Sequence, residues 1–420
     1  MTDRPLRIAH LADTHLGYSA LTRLCADSGR NQRAVDIERA FATAIDDILA
    51  WRPDLVIHAG DAFHHSRPPM HTIIFFVQQM RRLERAGIPA VVIGGNHDTP
   101  RLRTAGSVLD LCAIACPGVH FVHGYDWERV PLDLDGCPVS VIALPHGAFT
   151  NDQSPALPPP DPDATEILVI HGQYKLGDRR ELRGAKDNVD DTLIAPSYTY
   201  VALGHWHTYE KMGGNAWYSG STERIGLTDK DCRPGYARVT LHADGPEVMH
   251  VPLPARDLLA LPTVWADGMT ADDIEARVVK ALEMKEVADK RADAMVMCRV
   301  ENTPVGADRD ALRLLRAHET VRDCWAFLPS ITAVRAAGQQ VAGASSIGPL
   351  VDEFDTFVGR REQEQVYTPA DATAFREKGR EHLTDAMRVA HQSMLPPADG
   401  DDGNAIADGN ATMSGSGGNE

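Results

Sequence analysis

Leu6-Arg7-Ile8-Ala9-His10-Leu11-Ala12-Asp13-Thr14-His15 is an apolar run of strand type that ends in two metal-ligand side chains, Asp13 and His15. The same arrangement returns four times. Leu55 to Ala59 precedes Gly60-Asp61, and Ala90 to Ile93 precedes Gly95-Asn96-His97-Asp98. Ile167 to Ile170 precedes His171-Gly172, and Tyr200 to Leu203 precedes Gly204-His205-Trp206-His207. Between the first three runs lie two helical patterns, roughly Ala34 to Trp51 and Pro69 to Ala86, with Ile37, Phe41, Ile45, Ile48 and Leu49 at helical spacing. This β-α-β-α-β order predicts an α/β fold, a sheet covered by helices. Open α/β sheets gather ligands at the carboxyl ends of their strands, where every one of these donors falls.

The donors Asp13, His15, Asp61, Asn96, His171, His205 and His207 are too many for one ion and suit two that share a carboxylate. Asp61, in the middle of the set, is the natural bridge. Carboxylates, an amide oxygen and imidazoles without a thiolate suit Mn²⁺, with Fe²⁺, Zn²⁺ and Mg²⁺ less firmly placed. Two ions about 3.5 to 4 Å apart polarise a phosphoryl oxygen, generate a hydroxide and steady a leaving oxygen, so two divalent metal ions and phosphoester hydrolysis are expected. Each piece alone says little: Gly-Asp after a strand is commonly a turn, Asn96 a turn former or cap, and His207 a surface residue. Their number and order carry the reading.

The ordered set D-x-H, GD, GNHD, H and GHxH resembles the calcineurin-like metallophosphoesterase superfamily. His10 to Gly17, Gly60-Asp61-Ala62-Phe63-His64 with Ser66-Arg67-Pro68, and Tyr218-Ser219-Gly220-Ser221-Thr222-Glu223-Arg224 resemble its SbcD-type DNA-repair exonuclease branch, over roughly residues 6 to 252. The resemblance implies a metallophosphoesterase β-sandwich with flanking helices. It implies that Asp13, His15, Asp61 and His207 hold one ion and that Asp61, Asn96, His171 and His205 hold the other. It makes His97 the group that contacts the scissile phosphate and helps protonate the leaving oxygen, a task suited to a histidine titrating near neutrality. Asp98 is then either its orienting partner or a turn residue. Phosphatases of the superfamily carry aspartate followed by Arg-Gly where this chain has His64, and the resemblance implicates His64 in exonuclease action on a DNA end. His58 reads as a core or supporting residue. Arg23, Arg30, Asn31 and Arg33 lie in a polar stretch beside the expected cleft, as phosphate contacts or as an ordinary solvated loop.

A net charge of -17 argues against tight independent DNA binding. From Leu395 onward the chain has five acidic residues and no basic one, so part of that charge lies in a tail, 395–420, expected to be disordered. Much of the DNA affinity is therefore expected from a local patch or a partner.

At 420 residues two or three domains are expected. A nuclease domain, 1–252, closes after strand-like runs at Tyr236 to Leu241 and Glu247 to Val251, and a proline-bearing linker follows. Residues 263–337 read as a small α/β domain: helix Ala271 to Met284, strand Ala294 to Val300, helix Asp308 to Glu319, and strand-like runs Cys324 to Leu328 and Ile331 to Val334. The resemblance makes this a cap over the cleft; a stability or dimerisation module is the alternative. Residues 345–393 read as two amphipathic helices in need of a partner surface. The resemblance supplies one, the coiled-coil root of an SbcC-like SMC-type ATPase, with packing on the cap as the alternative. It also suggests a homodimer.

The seven cysteines contain no C-x-x-C, which suits reduced thiols in a cytoplasmic protein. No signal peptide or membrane span is visible. The function expected is a metal-dependent DNA exonuclease and endonuclease subunit in repair. The rivals are a phosphodiesterase of small substrates such as cyclic nucleotides, and a DNA-end scaffold with a vestigial nuclease.

Overall fold

A computed structural model describes residues 4–100, 102–150, 155, 157–158, 161, 163–174, 188–189, 198–334, 350–363 and 368–392. Strands β1 (Leu6–Leu11), β2 (Leu55–His58), β3 (Ala90–Ile93) and β4 (Val119–Val122) run parallel, joined by helices α1 (Gln32–Trp51), α2 (Met70–Arg85) and α3 (Val108–Ala115). An antiparallel hairpin, Gly235–His242 with Gly245–Pro252, extends this sheet beyond β1.

A second six-stranded sheet faces the first. It contains β5 (Glu128–Leu134), β6 (Cys137–Leu144) and β7 (Thr165–His171), then Tyr200–Gly204, Ala216–Tyr218 and Glu210–Gly213 in that spatial order. Two of its central strands are the apolar runs at Ile167 to Ile170 and Tyr200 to Leu203; that they belong to a second sheet facing the first is anticipated only through the family resemblance. Its centre is parallel and its two edge pairs are antiparallel.

Side-chain alternation explains why the first sheet reads as continuous apolar runs. Leu6, Ile8, Leu55, Ile57, Val91 and Ile93 point between the sheets, against Val141, Ala143, Ile167, Val169 and Ala202. Ala9, Leu11, Val56, Ala90 and Val92 point the other way, against Ile37, Phe41, Ile45 and Ile48 of α1 and Phe76 and Met80 of α2. Both faces are buried, so strands that would alternate in a one-sided sheet are apolar throughout. Asn31 starts α1 by accepting the Arg33 and Ala34 N–H groups, and Arg52 ends it in the left-handed conformation before Pro53. Phe41 is fully buried, and truncation to alanine at such a site costs about 3–5 kcal/mol.

A third sheet has its own core. Strand Met295–Thr303 pairs in parallel with Leu258–Ala260 and Val264–Trp265 along one edge and with Ala326–Ala333 along the other. Helices Ala271–Leu282 and Ala307–Ala317 cover one face around Ile274, Val278, Leu282, Val296, Val300 and Leu315. Two expectations change here. The sheet begins at Leu258, inside the stretch expected to be a linker, because Leu258 and Ala260 pair with Met295 and Met297. The runs expected at 324–328 and 331–334 are one strand, Ala326–Ala333. Pro329 is tolerated there on the outer strand of the sheet, where one side of the backbone has no ladder to serve.

Residues to Val334 form one compact unit and those from Arg335 a second. In the second, helices Leu350–Gln363 and Pro369–Gln392 pair antiparallel. Arg376 bonds Glu362 at 2.6 Å, Arg380 bonds Asp355, and Gly379 lies where a Cβ would meet the Phe354 ring. Val358 and Ala372 are buried, whereas Phe357 and Phe375 are about half exposed. The tail expected at 395–420 lies outside the described residues.

Candidate metal centre

The turns after β1 and β2 run side by side. The N–H groups of Asp13, His15 and Leu16 donate to the carbonyls of Gly60, Asp61 and Ala62 at 3.0, 3.0 and 2.9 Å, and His64 N–H returns to Leu16 O at 3.0 Å. Asp13, His15, Asp61 and His205 all have left-handed backbones, with φ of 52°, 45°, 53° and 103°. They are four of the eight non-glycine residues so described, a concentration of strain that marks a built site. Gly95 is required sterically: a Cβ there would lie 2.1 Å from Asp61 Oδ1.

The structure brings all seven expected donors together. Asp61 Oδ2 lies 3.6 Å from His15 Nε2 and 3.5 Å from His171 Nε2, between two groups of donors. On one side, Asp13, His15 and His207 converge, with His15 Nε2 3.2 Å from His207 Nε2. On the other, Asn96 Oδ1 is 3.0 Å from both His171 Nε2 and His205 Nδ1.

Neighbours fix which nitrogens face inward. His171 Nδ1 donates to Ala59 O at 2.8 Å, leaving Nε2 with its lone pair toward the centre. His207 Nδ1 meets Asp229 Oδ2 at 3.0 Å, with the same result. Asp229 is a supporting residue that the sequence reading missed. It sits 22 positions beyond His207, in a turn that no spacing rule links to the centre.

The donor set fits divalent cations on electrostatic grounds. Asp13 and Asp61 are almost wholly buried, and the groups at ion-pair distance from Asp61 among the described residues are His15 and His171. Burial pushes Asp13 up to about 6. Burial also acts against Asp61, but the charge and hydrogen bond of His171, with His15 and His97, hold it well below its ordinary value. His171, disfavoured as a cation by burial, is raised to about 9 by Asp61. Buried carboxylates thus draw positive charge to the centre, and cations bound by inward lone pairs would satisfy that demand without protonating the ligands.

His97 stands beside these donors. Its N–H donates to Asp61 Oδ1 at 2.8 Å and its Nδ1 lies 2.7 Å from the His64 carbonyl. A carbonyl only accepts, so Nδ1 carries a proton and Nε2 is the atom available for proton transfer. His64 stacks on the His97 ring at 4.8 Å, and its Nδ1 is 3.3 Å from His15 Nδ1. Burial, followed by the His97 and His65 charges, lowers His64 to about 4.

Of the two readings of Asp98, orienting partner of His97 or turn residue, its contacts match the turn residue. Its carboxylate is wholly buried and accepts the N–H groups of Phe63, Ala62 and Gly95 at 2.8, 3.0 and 3.1 Å. It braces the turn that carries Asp61, and the His64 carbonyl orients His97. Burial, then Asp61, raises it to about 7 despite those three bonds.

The basic loop after His15 also differs from the phosphate-binding reading. Arg30 makes a two-point pair with Glu38 at 2.8 and 2.5 Å, and Arg33 is buried against Asp36 at 3.0 Å. Arg23 donates to Trp325 O at 2.8 Å, and Asn31 caps α1. These cations tie the loop to the protein itself. His58, expected as a core or supporting residue, is buried with Nε2 3.0 Å from Thr14 Oγ1. Cys112 and Cys116 are buried free thiols.

Two facing mixed sheets with carboxylates, an amide and imidazoles gathered at strand ends define a metallophosphoesterase fold. Residues 6–209 match the calcineurin-like phosphoesterase family, for which divalent metals are implied. The chain is similar to the DNA double-strand break repair protein Mre11 of Methanosarcina mazei, 30% identical over 278 residues, covering 63% of this chain and 41% of that protein. It is similarly related to the protein of the same name from Haloferax volcanii, 30% identical over 271 residues, covering 60% of this chain and 53% of the relative. The chain thus spans only about half or less of the length of these relatives. Among solved structures, TT1561 of Thermus thermophilus aligns with 59% of this chain and 99% of its own at a TM-score of 0.35 and 13% identity. Among the described residues no helix is long and apolar enough to cross a membrane.

Proposed function

We propose that this chain is a two-metal phosphodiesterase that cleaves DNA at ends or hairpins during repair, as a cytoplasmic nuclease subunit working with an SMC-like ATPase. The observation that carries the reading is the placement of Asp61 between two groups of donors, with His97 bonded to the same carboxylate. The related repair proteins favour DNA over small esters.

Asp13, His15, His207 and Asp61 would hold one ion, and Asp61, Asn96, His171 and His205 the other. Mn²⁺ fits this oxygen and imidazole set best. The bound ions supply electrophilic assistance to the phosphoryl group and activate water. The chain's own residues do the rest. Asp229 and the Ala59 carbonyl aim the ligand imidazoles, Asp98 fixes the turn carrying Asp61, and His97 delivers a proton from Nε2 to the departing oxygen. His64, stacked on His97, would meet the strand end. The third sheet would cap the cleft, and the paired helices at 350–363 and 369–392 would dock on the ATPase.

The test is Mn²⁺-dependent cleavage of end-labelled duplex and hairpin DNA beside bis-p-nitrophenyl phosphate, with His97→Ala as control. Cleavage of both DNA and the ester supports the reading. Ester cleavage alone points to small phosphodiesters, and DNA binding with neither activity points to a scaffold.

A further inference from the structure

Trp206 is 44% exposed although it stands between His205 and His207. The backbone that presents it is held on both sides. The His205 N–H donates to both Asp13 carboxylate oxygens, at 3.1 and 3.0 Å. The His207 carbonyl accepts the Ser221 N–H at 3.1 Å, and His207 Nδ1 meets Asp229 at 3.0 Å. An exposed aromatic residue on a turn whose backbone is so fixed offers a planar ligand a surface at little backbone ordering cost.

Charge leads to the same place. Arg23, Arg30 and Arg33, in the loop that enters beside the centre, are committed to Trp325, Glu38 and Asp36, and the chain's net charge is -17. With these three arginines engaged, a strand held here gains from a contact that does not rely on side-chain charge. Stacking provides one, because every base has a π-face.

We infer that Trp206 stacks on an unpaired nucleobase flanking the scissile phosphate, so that the centre favours frayed, single-stranded or hairpin-loop DNA over intact duplex. In a closed duplex that face is already covered by the neighbouring base pair. The inference rests on the DNA phosphodiesterase reading and adds to it the contact that selects the strand.

The test uses the full chain, with fluorescence anisotropy of labelled oligothymidylate and of an abasic oligomer of the same length, for wild type, Trp206→Ala and Trp206→Phe. Trp206→Ala should weaken oligothymidylate binding by roughly five- to a hundredfold and abasic binding by far less, while Trp206→Phe recovers most of the loss. Damage to the neighbouring ligands would instead weaken both oligomers alike, and that outcome, or no loss at all, overturns the stacking. Wild type that cleaves DNA while Trp206→Ala binds oligothymidylate normally removes the stacking and leaves the nuclease reading. Wild type that hydrolyses bis-p-nitrophenyl phosphate but neither binds nor cuts either oligomer removes both.

Discussion

Asp61 Oδ1 accepts the backbone N–H of His97 at 2.8 Å, while Oδ2 of the same carboxylate faces His15 and His171. One side chain thus positions His97 and stands where two ions would share a ligand. Asp61→Asn keeps an oxygen for the His97 N–H and removes the charge. Supporting residues around metal ligands are already worth ten- to a hundredfold in affinity or activity, so loss of the shared ligand should cost about a hundredfold or more. Metal content by mass spectrometry should fall below two ions per chain, with circular dichroism unchanged. A variant that still holds two ions and full activity would exclude the bridging role.

His97 has a second, separable consequence. An alkoxide leaving from DNA needs a proton, whereas p-nitrophenolate leaves readily without one. His97→Ala should therefore lower kcat on DNA by about 10²–10⁴-fold and affect bis-p-nitrophenyl phosphate much less. Equal losses on the two substrates would mean that His97 acts by holding the phosphate or the turn.

Asp98→Ala leaves the N–H groups of Ala62, Phe63 and Gly95 without their acceptor. Each unsatisfied buried group costs about 1–3 kcal/mol, so the variant should lose several degrees in Tm. The pH–rate profile of its residual activity should keep the wild-type shape, because His97 takes its orientation from the His64 carbonyl. A shifted acid limb would restore Asp98 as the partner of His97.

The contrast between Asp61 and Asp98 shows what the sequence can disclose. Asp61 is legible because its neighbours in the motif are ligands of the same chemistry at successive strand ends. The role of Asp98 depends on which backbone amides fold over it, and two of the three come from residues 35 and 36 positions earlier in the chain. The arginines after Tyr18 mislead for a similar reason: a guanidinium reads alike whether it meets phosphate or, as here, Glu38 and Asp36. Strands β1 to β3 and their helices are legible because two buried faces leave unbroken apolar runs. β5 and β6 pair as a hairpin across Asp135-Gly136, both at positive φ, a local turn signal that the sequence reading passed over. Asp229 is hidden for another reason, being brought to His207 by the turn at Gly226 and Ile225.

Asp36 is where the phosphoesterase sheets meet the third sheet. Its carboxylate receives Arg33 Nη1 at 3.0 Å and Arg256 Nε at 2.8 Å, and Arg256 in turn lies over the Trp325 ring. Burial alone would raise Asp36, but hydrogen bonds from Arg256 and Gln32 and the charges of both arginines hold it below its ordinary value. A depressed carboxylate contributes stability that is fully present above its unfolded pKa, about 3.9, and is lost as pH falls through the lower folded value. Neighbouring Glu223 acts oppositely: burial raises it, so it opposes folding at neutral pH and that penalty is relieved on protonation. Asp36→Ala should destabilise the protein at pH 7 by about 1–3 kcal/mol, because Arg33 and Arg256 lose a buried acceptor while Glu223, 3.5 Å from Arg33, remains as a partner. The gap between wild type and variant, read from denaturant midpoints, should hold from pH 7 to pH 5 and narrow below pH 4. A gap that stays constant to pH 2 would show that Asp36 contributes packing alone.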